Sequence, residues 1–351
     1  MTRAELLESI LMRRVVHDGD ASGLDLTGTV LAHGIFKNIS FKKANFREAD
    51  LSFASFTDCD LSEADFSGAC LNMVDLTGLN LTGAKFREAS LIHAHLSNTD
   101  LSLADFSLAV LRMVEGTESK LTGADFTGAD LTQADFSGAT LDGTKLIRIN
   151  GTKLELARVD LTKAVLEGAG LIKANLAKTS AAGLSFKNIE IAKARFQEAN
   201  LVGADFSGMD LTQVFFNGAK LTQADLSGSY GLSPQFSQVS AGAALFRKVK
   251  YQTAFFMDAD LRAADFSEAG LEKSLMTDAD LTSAKFREAN LSFADLSHAN
   301  LERTDFTKAN LEYANLHRVK GAGTVWSGAN LRTAKSTDPD LAQAEDFKPA
   351  N

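Results

Sequence analysis

The side chains best suited to metal binding or catalysis in this sequence are six histidines and two cysteines. His93 and His95 are separated by one residue, which places both rings on the same face of an extended segment. Two imidazoles in that arrangement could share a metal ion, but a zinc site needs three or four ligands, and no third ligand lies nearby in the sequence. We therefore expect ordinary surface histidines and no metal site.

Cysteine and acidic residues also carry little catalytic signal. Cys59 and Cys70 are too few for a disulfide framework, and we expect them to be packing or surface residues. About half of the 45 acidic residues stand immediately before a large apolar residue. Such regular placement indicates a structural role, in which a short polar side chain hydrogen-bonds the backbone of a turn. With no nucleophile elbow or phosphate loop in the sequence, we expect no catalytic residue and no cofactor, and hence a protein that is not an enzyme.

A large apolar residue recurs at every fifth position through almost the whole chain. From Leu26 to Leu341, 57 of the 64 positions visited in steps of five hold Leu, Phe, Ile, Met, Tyr or Trp. A period of five fits neither an α-helix nor an ordinary strand. The residue two positions earlier is usually small, so each five-residue unit presents one large and one small residue on the same face. A unit this short must wind into a coil that stacks on copies of itself.

The distribution of phenylalanine constrains the size of that coil. Of the 24 phenylalanines, 18 lie at positions ending in 6, whereas leucine dominates the positions ending in 1. If like side chains stack on one another, this alternation requires an even number of five-residue sides per coil. Four sides, or about 20 residues per coil, leave room for a dry axis filled by these side chains. Six sides are also compatible with the pattern.

The repeated unit, as in ADFSG (64–68) and ANLSF (289–293), resembles the pentapeptide-repeat family over roughly nine tenths of the chain. The resemblance implies an all-β solenoid, a right-handed quadrilateral β-helix with four units per coil. At about 20 residues per coil, the repeats would make about 16 coils.

The sequence divides into three predicted segments. Residues 1–20 contain an N-terminal capping helix, 21–335 form the β-helix, and 336–351 form an irregular C-terminal tail. Thr2 and Glu5 have the spacing of a capping box, and a helical stripe of apolar residues follows, so we predict a helix over residues 2–16. Such a cap covers apolar side chains and unpaired backbone groups at the end of a solenoid.

Three of the glycines that interrupt the large-residue positions predict looser, bulged coils. These are Gly116, Gly151 and Gly231. The stretch around Pro234 departs furthest from the repeat, and we expect it to be the weakest part of the solenoid.

One side of the predicted coil differs from the others at the site two residues after the large one. Three sides often hold glycine there, but the column at 20-residue intervals from His33 to Thr333 never does. Exposed apolar patches usually mark contact surfaces. The candidate partner-binding residues are therefore the apolar members of this column, Phe53, Met73, Met113, Phe293 and Tyr313, together with an outward set in a neighbouring column, Phe215, Phe255 and Leu275. Alternatively, these side chains pave a wider side, or the tail covers them.

Overall composition narrows the location and the partners. The net charge of −9 argues against a nonspecific phosphate-binding surface, so we expect no direct contact with nucleic acid. No apolar run approaches the ~20 residues that span a bilayer, and the N-terminus lacks the features of a signal peptide. We expect a cytoplasmic protein.

A rigid rod with one atypical side predicts a non-catalytic scaffold or adaptor for protein–protein interaction. The layout resembles the pentapeptide segments that accompany bacterial type VI secretion components. The shared features are a helix beginning TRAELL, a first coil GLDLTG, and a closing run from DADLRAADFSEAGL to ANLHRVKGAGTVWSGANL. This resemblance implies a bacterial protein with a partner among secretion spike or effector proteins. A homodimer is the alternative assembly.

The alternative function is DNA mimicry. Some members of the family imitate duplex DNA and bind type II topoisomerases, which confers quinolone resistance. The acidic balance and the expected width of the rod fit this function. Against it, 36 basic residues dilute the 45 acids, and the C-terminus lacks the apolar helix through which those members dimerise.

Overall fold

The computed structural model describes residues 1–346, which contain two short helices and five short strands. In chain order these are α1 (Arg3–Leu11), β1 (Val16–Asp20), β2 (Ile35–Ser40), β3 (Ser55–Thr57), β4 (Tyr230–Leu232), β5 (Lys250–Gln252) and α2 (Pro339–Asp346). Strands β1, β2 and β3 form one parallel sheet, and β4 and β5 form another. Neither helix within residues 1–346 has the length and apolar character needed to cross a membrane.

Backbone pairing repeats with a period of 20 residues. Val16 pairs with Phe36 in the first sheet, and Tyr230 pairs with Lys250 in the second. Elsewhere isolated parallel bridges keep the same register at positions ending in 0 or 5, as between Asp305 and Val325. Six-sided coils would pair residues 30 apart, and no such pairing occurs within residues 1–346. The chain is therefore a β-solenoid with the shorter of the two periods that the sequence allowed.

The solenoid divides into two compact units, each with the same kind of interior. The first unit comprises Met1–Ser180 with Asn188–Glu190, and the second comprises Ala181–Lys187 with the residues from Ile191 onward. In the first unit the rings of Phe46, Phe66, Phe86, Phe106 and Phe126 stack with centroids 4.7–5.0 Å apart. In the second unit Phe246, Phe266, Phe286, Phe306 and Trp326 do the same at 4.5–5.1 Å. The predicted stacking of like on like is confirmed.

The aspartates before the large residues stabilise turns, as predicted. Asp65 Oδ1 accepts hydrogen bonds from the Ser67 backbone N–H (3.0 Å) and hydroxyl (2.6 Å). Asp305 and Thr307 repeat this arrangement in the second unit at 2.9 and 2.6 Å. The short carboxylate thus satisfies a backbone donor that the turn leaves unpaired, which accounts for its frequency at this site.

The N-terminal helix is shorter than predicted. Thr2 and Glu5 form the expected capping box, but α1 ends at Leu11 and not at residue 16. Val16 belongs to β1, which pairs with β2 and so satisfies backbone groups that the first coil would otherwise expose. Residues 1–20 are therefore a helix followed by a strand.

The C-terminal tail is not irregular throughout, which corrects the prediction for 336–351. Asp338 Oδ1 accepts hydrogen bonds from the backbone N–H groups of Asp340 and Leu341 at 3.0 and 3.2 Å. Pro339 occupies the first position of α2, where its missing N–H is not needed. These features start a helix that runs to Asp346; the last five residues of the predicted tail, 347–351, lie outside the described residues.

The glycine sites are filled by neighbouring coils, so the prediction of loose coils is wrong. A Cβ on Gly116 would lie less than 3.0 Å from the ring of Phe136, and one on Gly151 would lie 3.0 Å from Leu171. Gly231 pairs with the fully buried Tyr251. Side chains of the next coil lie at the Gly116 and Gly151 sites, and the backbone of the preceding coil lies at the Gly231 site, 2.6 Å from where a Cβ would be, which keeps the core packed.

The stretch around Pro234 is also not the weak point that the sequence suggested. It follows β4, one of the few stretches where pairing is continuous, and the Pro234 carbonyl accepts a hydrogen bond from the Phe255 N–H at 3.1 Å. Proline lacks a backbone N–H donor but keeps its carbonyl acceptor, so the parallel register continues through that carbonyl.

Candidate partner-binding surface

The backbone explains why three sides of the coil favour glycine. The residue two positions after a large apolar residue has a left-handed conformation, with φ of +68° at Gly68 and +58° at Phe53. An L-residue is disfavoured there by roughly 1–2 kcal/mol, whereas glycine is not. The column from His33 to Tyr313 has this conformation at every coil and never uses glycine. This column therefore carries the backbone cost at every coil, whereas the other sides avoid it at some coils.

Five of the candidate residues are exposed in this column. In the first unit the exposed fractions are 50% for Phe53, 46% for Met73 and 40% for Met113; in the second unit they are 54% for Phe293 and 50% for Tyr313. We call these sets the first and second apolar columns.

Aromatic rings stack at the start of the first apolar column and within the second. The His33 and Phe53 rings are nearly parallel, at 12° with centroids 4.9 Å apart, and the Phe293 and Tyr313 rings make 11° at 4.8 Å. This spacing equals the distance between paired strands, because each ring is carried by an adjacent coil. Stacking orders these rings without hiding their outer edges, so each column presents at least one aromatic group in a fixed position on the surface.

The other three candidates are less accessible than predicted. Phe215, Phe255 and Leu275 are half-buried. They occupy bridged positions, in a ladder that runs Arg195, Phe215, Gln235, Phe255, Leu275. Side chains on successive rungs of such a ladder stand about 4.8 Å apart and cover one another's flanks. These residues are outward-facing but form no freely exposed patch.

Two more exposed apolar residues lie in the same coil as Met113. Leu103 and Leu108 are 67% and 50% exposed and also have left-handed backbones, with φ of +61° and +59°. The sequence could have indicated them, because each leucine lies two positions after a large apolar residue, on a side of the coil that often holds glycine there. At the coil of Met113, exposed apolar surface therefore continues from the first apolar column onto two further sides.

A surface cavity adjoins the first apolar column near the N-terminus. Its lining includes Ile10 and Leu11 from α1, Ile35 at the start of β2, and the basic Arg13 and Arg14. His33 also lines it and stacks on Phe53, so the cavity and the column are continuous. Leu11 is 79% exposed. The first unit thus presents an extended apolar surface with two cations at one end.

Several acidic side chains on each unit are paired with bases. Lys145 Nζ lies 2.9 Å from Asp125 Oδ2, and Arg247 Nε lies 2.7 Å from Asp265 Oδ2. Partial burial pushes the pKa of Asp125 up, but hydrogen bonds from Thr127 and Lys145 outweigh it and hold that pKa below its ordinary value. Both carboxylates are therefore ionised and locally neutralised.

The histidines and cysteines considered in the sequence have structural or solvent-facing positions. Ala94 is buried between His93 and His95, which both point outward, and His95 Nδ1 lies 2.9 Å from Glu115 Oε2. Cys59 is buried, and this burial raises the pKa of its thiol. The sequence did not reveal a cluster of His298, His317 and Glu345 at α2. The two histidines are one residue short of a 20-residue period, which could have indicated their proximity.

Comparisons with known families identify the class of protein. The family model described as pentapeptide repeats (8 copies) matches residues 25–62, 40–78, 191–228, 254–292 and 284–320, and the pentapeptide repeat region model matches 69–146. The chain belongs to the pentapeptide-repeat family.

Solved structures of similar chains include other members of that class. One form of QnrB1, a plasmid-mediated fluoroquinolone resistance protein, is 30% identical to this chain. The match covers 44% of this chain and 80% of the QnrB1 chain, with a TM-score of 0.35. HetL, involved in heterocyst differentiation regulation in the cyanobacterium Nostoc, is 29% identical over 65% of this chain and 90% of its own, with a TM-score of 0.22. No curated protein sequence matches the chain.

Proposed function

We propose that this protein is a non-catalytic scaffold of the bacterial cytoplasm that binds a protein partner through its apolar columns. In this proposal each unit is a right-handed, four-sided β-helix, with about 16 coils in the chain as a whole. The proposal rests on one observation, the retention of large apolar side chains at exposed positions where the backbone favours glycine.

Retaining those side chains is unfavourable in the free protein for two reasons. The left-handed backbone disfavours Phe53 and Met73 by roughly 1–2 kcal/mol each relative to glycine, and their apolar surface stays in water. A partner that covers the column removes the second cost and gains the energy of burying aromatic and thioether groups. Binding therefore accounts for a pattern that folding alone does not favour.

The partner that fits the first apolar column is a protein surface with its own apolar ridge. Stacked rings and methionines favour adaptable van der Waals contact, and methionine surfaces of this kind accommodate varied side chains. The resemblance in layout to type VI secretion segments makes a secretion spike or effector protein the first partner to examine.

Ion pairing weighs against DNA mimicry. A mimic of the phosphate backbone needs carboxylates whose charge is not cancelled at short range. Asp125, Asp130 and Asp305 each have a basic side chain within 2.6–2.9 Å. Inhibition of a bacterial type II topoisomerase by the purified protein at micromolar concentration would favour the mimic; unchanged supercoiling activity would favour the scaffold.

The scaffold is tested by charge substitutions within one column. Phe53→Asp with Met73→Asp places two carboxylates in the apolar strip, and we expect partner affinity to fall at least tenfold. Gln133→Asp is the matched control, because Gln133 lies in the same column with the same left-handed backbone (φ +59°) but is polar. The partner is first captured from native lysate with the parent protein. Its affinity for the parent, the double variant and the Gln133→Asp control is then measured by biolayer interferometry. Equal affinities would refute the role of this column.

The second apolar column needs its own pair of variants. Phe293→Asp with Tyr313→Asp is compared with Gln213→Asp, another polar residue of the column with a left-handed backbone (φ +54°). Loss of binding in both double variants would indicate a partner or partners contacting both units.

A further inference from the structure

Three ligand-type side chains converge where α2 meets the solenoid of the second unit. His317 Nε2 lies 3.3 Å from Glu345 Oε2, and His298 Nε2 lies 3.4 Å from Glu345 Oε1. One ligand atom from each of the three residues lies within 4.8 Å of the others. The two imidazole rings meet at 72° with centroids 5.5 Å apart, and the His317 side chain is only 4% exposed. The cluster is thus ordered and partly screened from water.

These separations match the geometry of zinc. Zinc binds imidazole nitrogen and carboxylate oxygen at about 2.0–2.2 Å in a tetrahedron, which puts neighbouring ligand atoms about 3.3–3.5 Å apart. Each histidine-to-carboxylate distance lies in that range, but the two run to different oxygens of Glu345, so the carboxylate must turn to offer one oxygen to a metal held by both rings. We propose that His298, His317 and Glu345 form a zinc site that fastens α2 to the last coils. Three protein ligands leave the fourth position of the metal to water.

Zinc binding requires one proton to change place. The Asp338 backbone N–H donates to His317 Nδ1 at 3.1 Å, so the neutral ring carries its proton on Nε2, facing Glu345. Zinc takes the Nε2 lone pair, and the ring then carries its proton on Nδ1. Asp338 loses its acceptor and must turn its N–H to solvent. The site therefore gives up two hydrogen bonds, from Asp338 to His317 and from His317 to Glu345, in exchange for three metal–ligand bonds.

Two neighbouring side chains prepare the carboxylate. Arg318 Nη1 donates to Glu345 Oε2 at 3.0 Å, and its Nη2 donates to both oxygens of Asp346 at 2.6 and 2.7 Å. Partial burial pushes the pKa of Glu345 up, but hydrogen bonds from His317 and Arg318 more than offset it, so that pKa stays below its ordinary value. Asp346 balances the guanidinium charge, which limits its repulsion of a cation at Glu345.

The site is tested by titrating the full chain with zinc chloride against a chromophoric chelator. We expect one zinc per chain with Kd below about 10 µM, and at least tenfold weaker binding in His298→Gln and in Glu345→Gln. His93→Gln with His95→Gln is the matched control, since it removes two outward histidines beside another glutamate, Glu115. The control should bind like the parent. Circular dichroism confirms that each variant is folded.

X-ray absorption at the zinc edge supplies the second readout. The loaded protein should show two imidazole ligands, whereas His298→Gln should show fewer. A Kd weaker than about 100 µM, full binding by either site variant, loss of binding in the control, or a spectrum without imidazole would each overturn the site.

Discussion

Phe136 fills the space that a side chain on Gly116 would need, although Phe136 belongs to the next coil. The core is therefore filled by neighbouring coils together, and each coil need not hold a large side chain at every large-residue position. A missing large residue in one coil is matched by a ring from its neighbour, which explains how the five-residue repeat tolerates glycine at a buried site.

Gly116→Ala should destabilise the protein because the new methyl group collides with the Phe136 ring. We expect a loss of about 1–3 kcal/mol in the free energy of unfolding, measured with urea. Phe136→Leu makes room for the methyl group, so the double variant should lose less than the two single variants together. Strictly additive losses would show that the two residues are not coupled.

The left-handed positions predict opposite effects for two exchanges. Leu103→Gly removes strain at a 67% exposed residue (φ +61°), so the free energy of unfolding should stay level or rise by up to about 1 kcal/mol. Gly203→Ala adds strain at φ +66°, where the new Cβ would have no neighbour within 4 Å, and should cost about 1 kcal/mol. Thermal unfolding of both variants measures the difference. Destabilisation by Leu103→Gly would mean that the leucine contributes to folding.

Two buried hydroxyl groups provide a matched pair. Thr304 Oγ1 donates to the Leu281 carbonyl at 2.7 Å, so Thr304→Val should cost about 1 kcal/mol. Ser274 Oγ is buried without a hydrogen-bond partner within residues 1–346, so Ser274→Ala should be neutral or stabilising. Urea unfolding distinguishes them. A larger loss from Ser274→Ala than from Thr304→Val would contradict the hydrogen-bond assignment.

Stability should fall in acid because turn aspartates have lowered pKa values. A hydrogen bond from Thr162 lowers the pKa of Asp160, and Ser22 and Thr27 do the same for Asp20 and Asp25. A carboxyl with a lower pKa in the folded state contributes stability above its unfolded pKa of about 3.9 and loses it as the pH falls through the folded value. Replacing all three with Asn keeps the acceptor oxygen but removes the titration. Between pH 5 and about pH 2, the free energy of unfolding should fall less in the triple variant than in the parent. An equal fall in both proteins would exclude these aspartates as a cause of the acid sensitivity.

The sequence predicted the period and the stacked interior because both depend on spacing alone. The five-residue phase alone is compatible with four or six sides per coil, and the 20-residue register is what places Phe46 and Phe66 in adjacent coils, where their rings stack. The sequence also predicted the exposure of Phe53 and Met73, since a left-handed outward site cannot turn inward. The exposure of Phe215 could not be predicted, because it depends on what its ladder neighbours cover.

Other features required tertiary contacts that no spacing rule contains. That the Phe136 ring occupies the Gly116 site is evident only from the packed core. The tail helix brings Glu345 to His298 and His317, and the spacing of the two histidines does not indicate a partner on the tail. Such contacts join distant segments through side-chain shape and charge, and a single sequence does not specify which pair will meet.

Methionine oxidation tests most directly whether a protein partner covers the first apolar column. In the free protein, Met73 and Met113 are exposed and should be oxidised readily by dilute hydrogen peroxide, whereas the fully buried Met276 should resist. In the complex purified from native lysate, we predict at least fivefold slower oxidation of Met73 and Met113 by mass spectrometry, with Met276 unchanged. Equal oxidation rates at Met73 and Met113 in the free and bound protein would contradict the account.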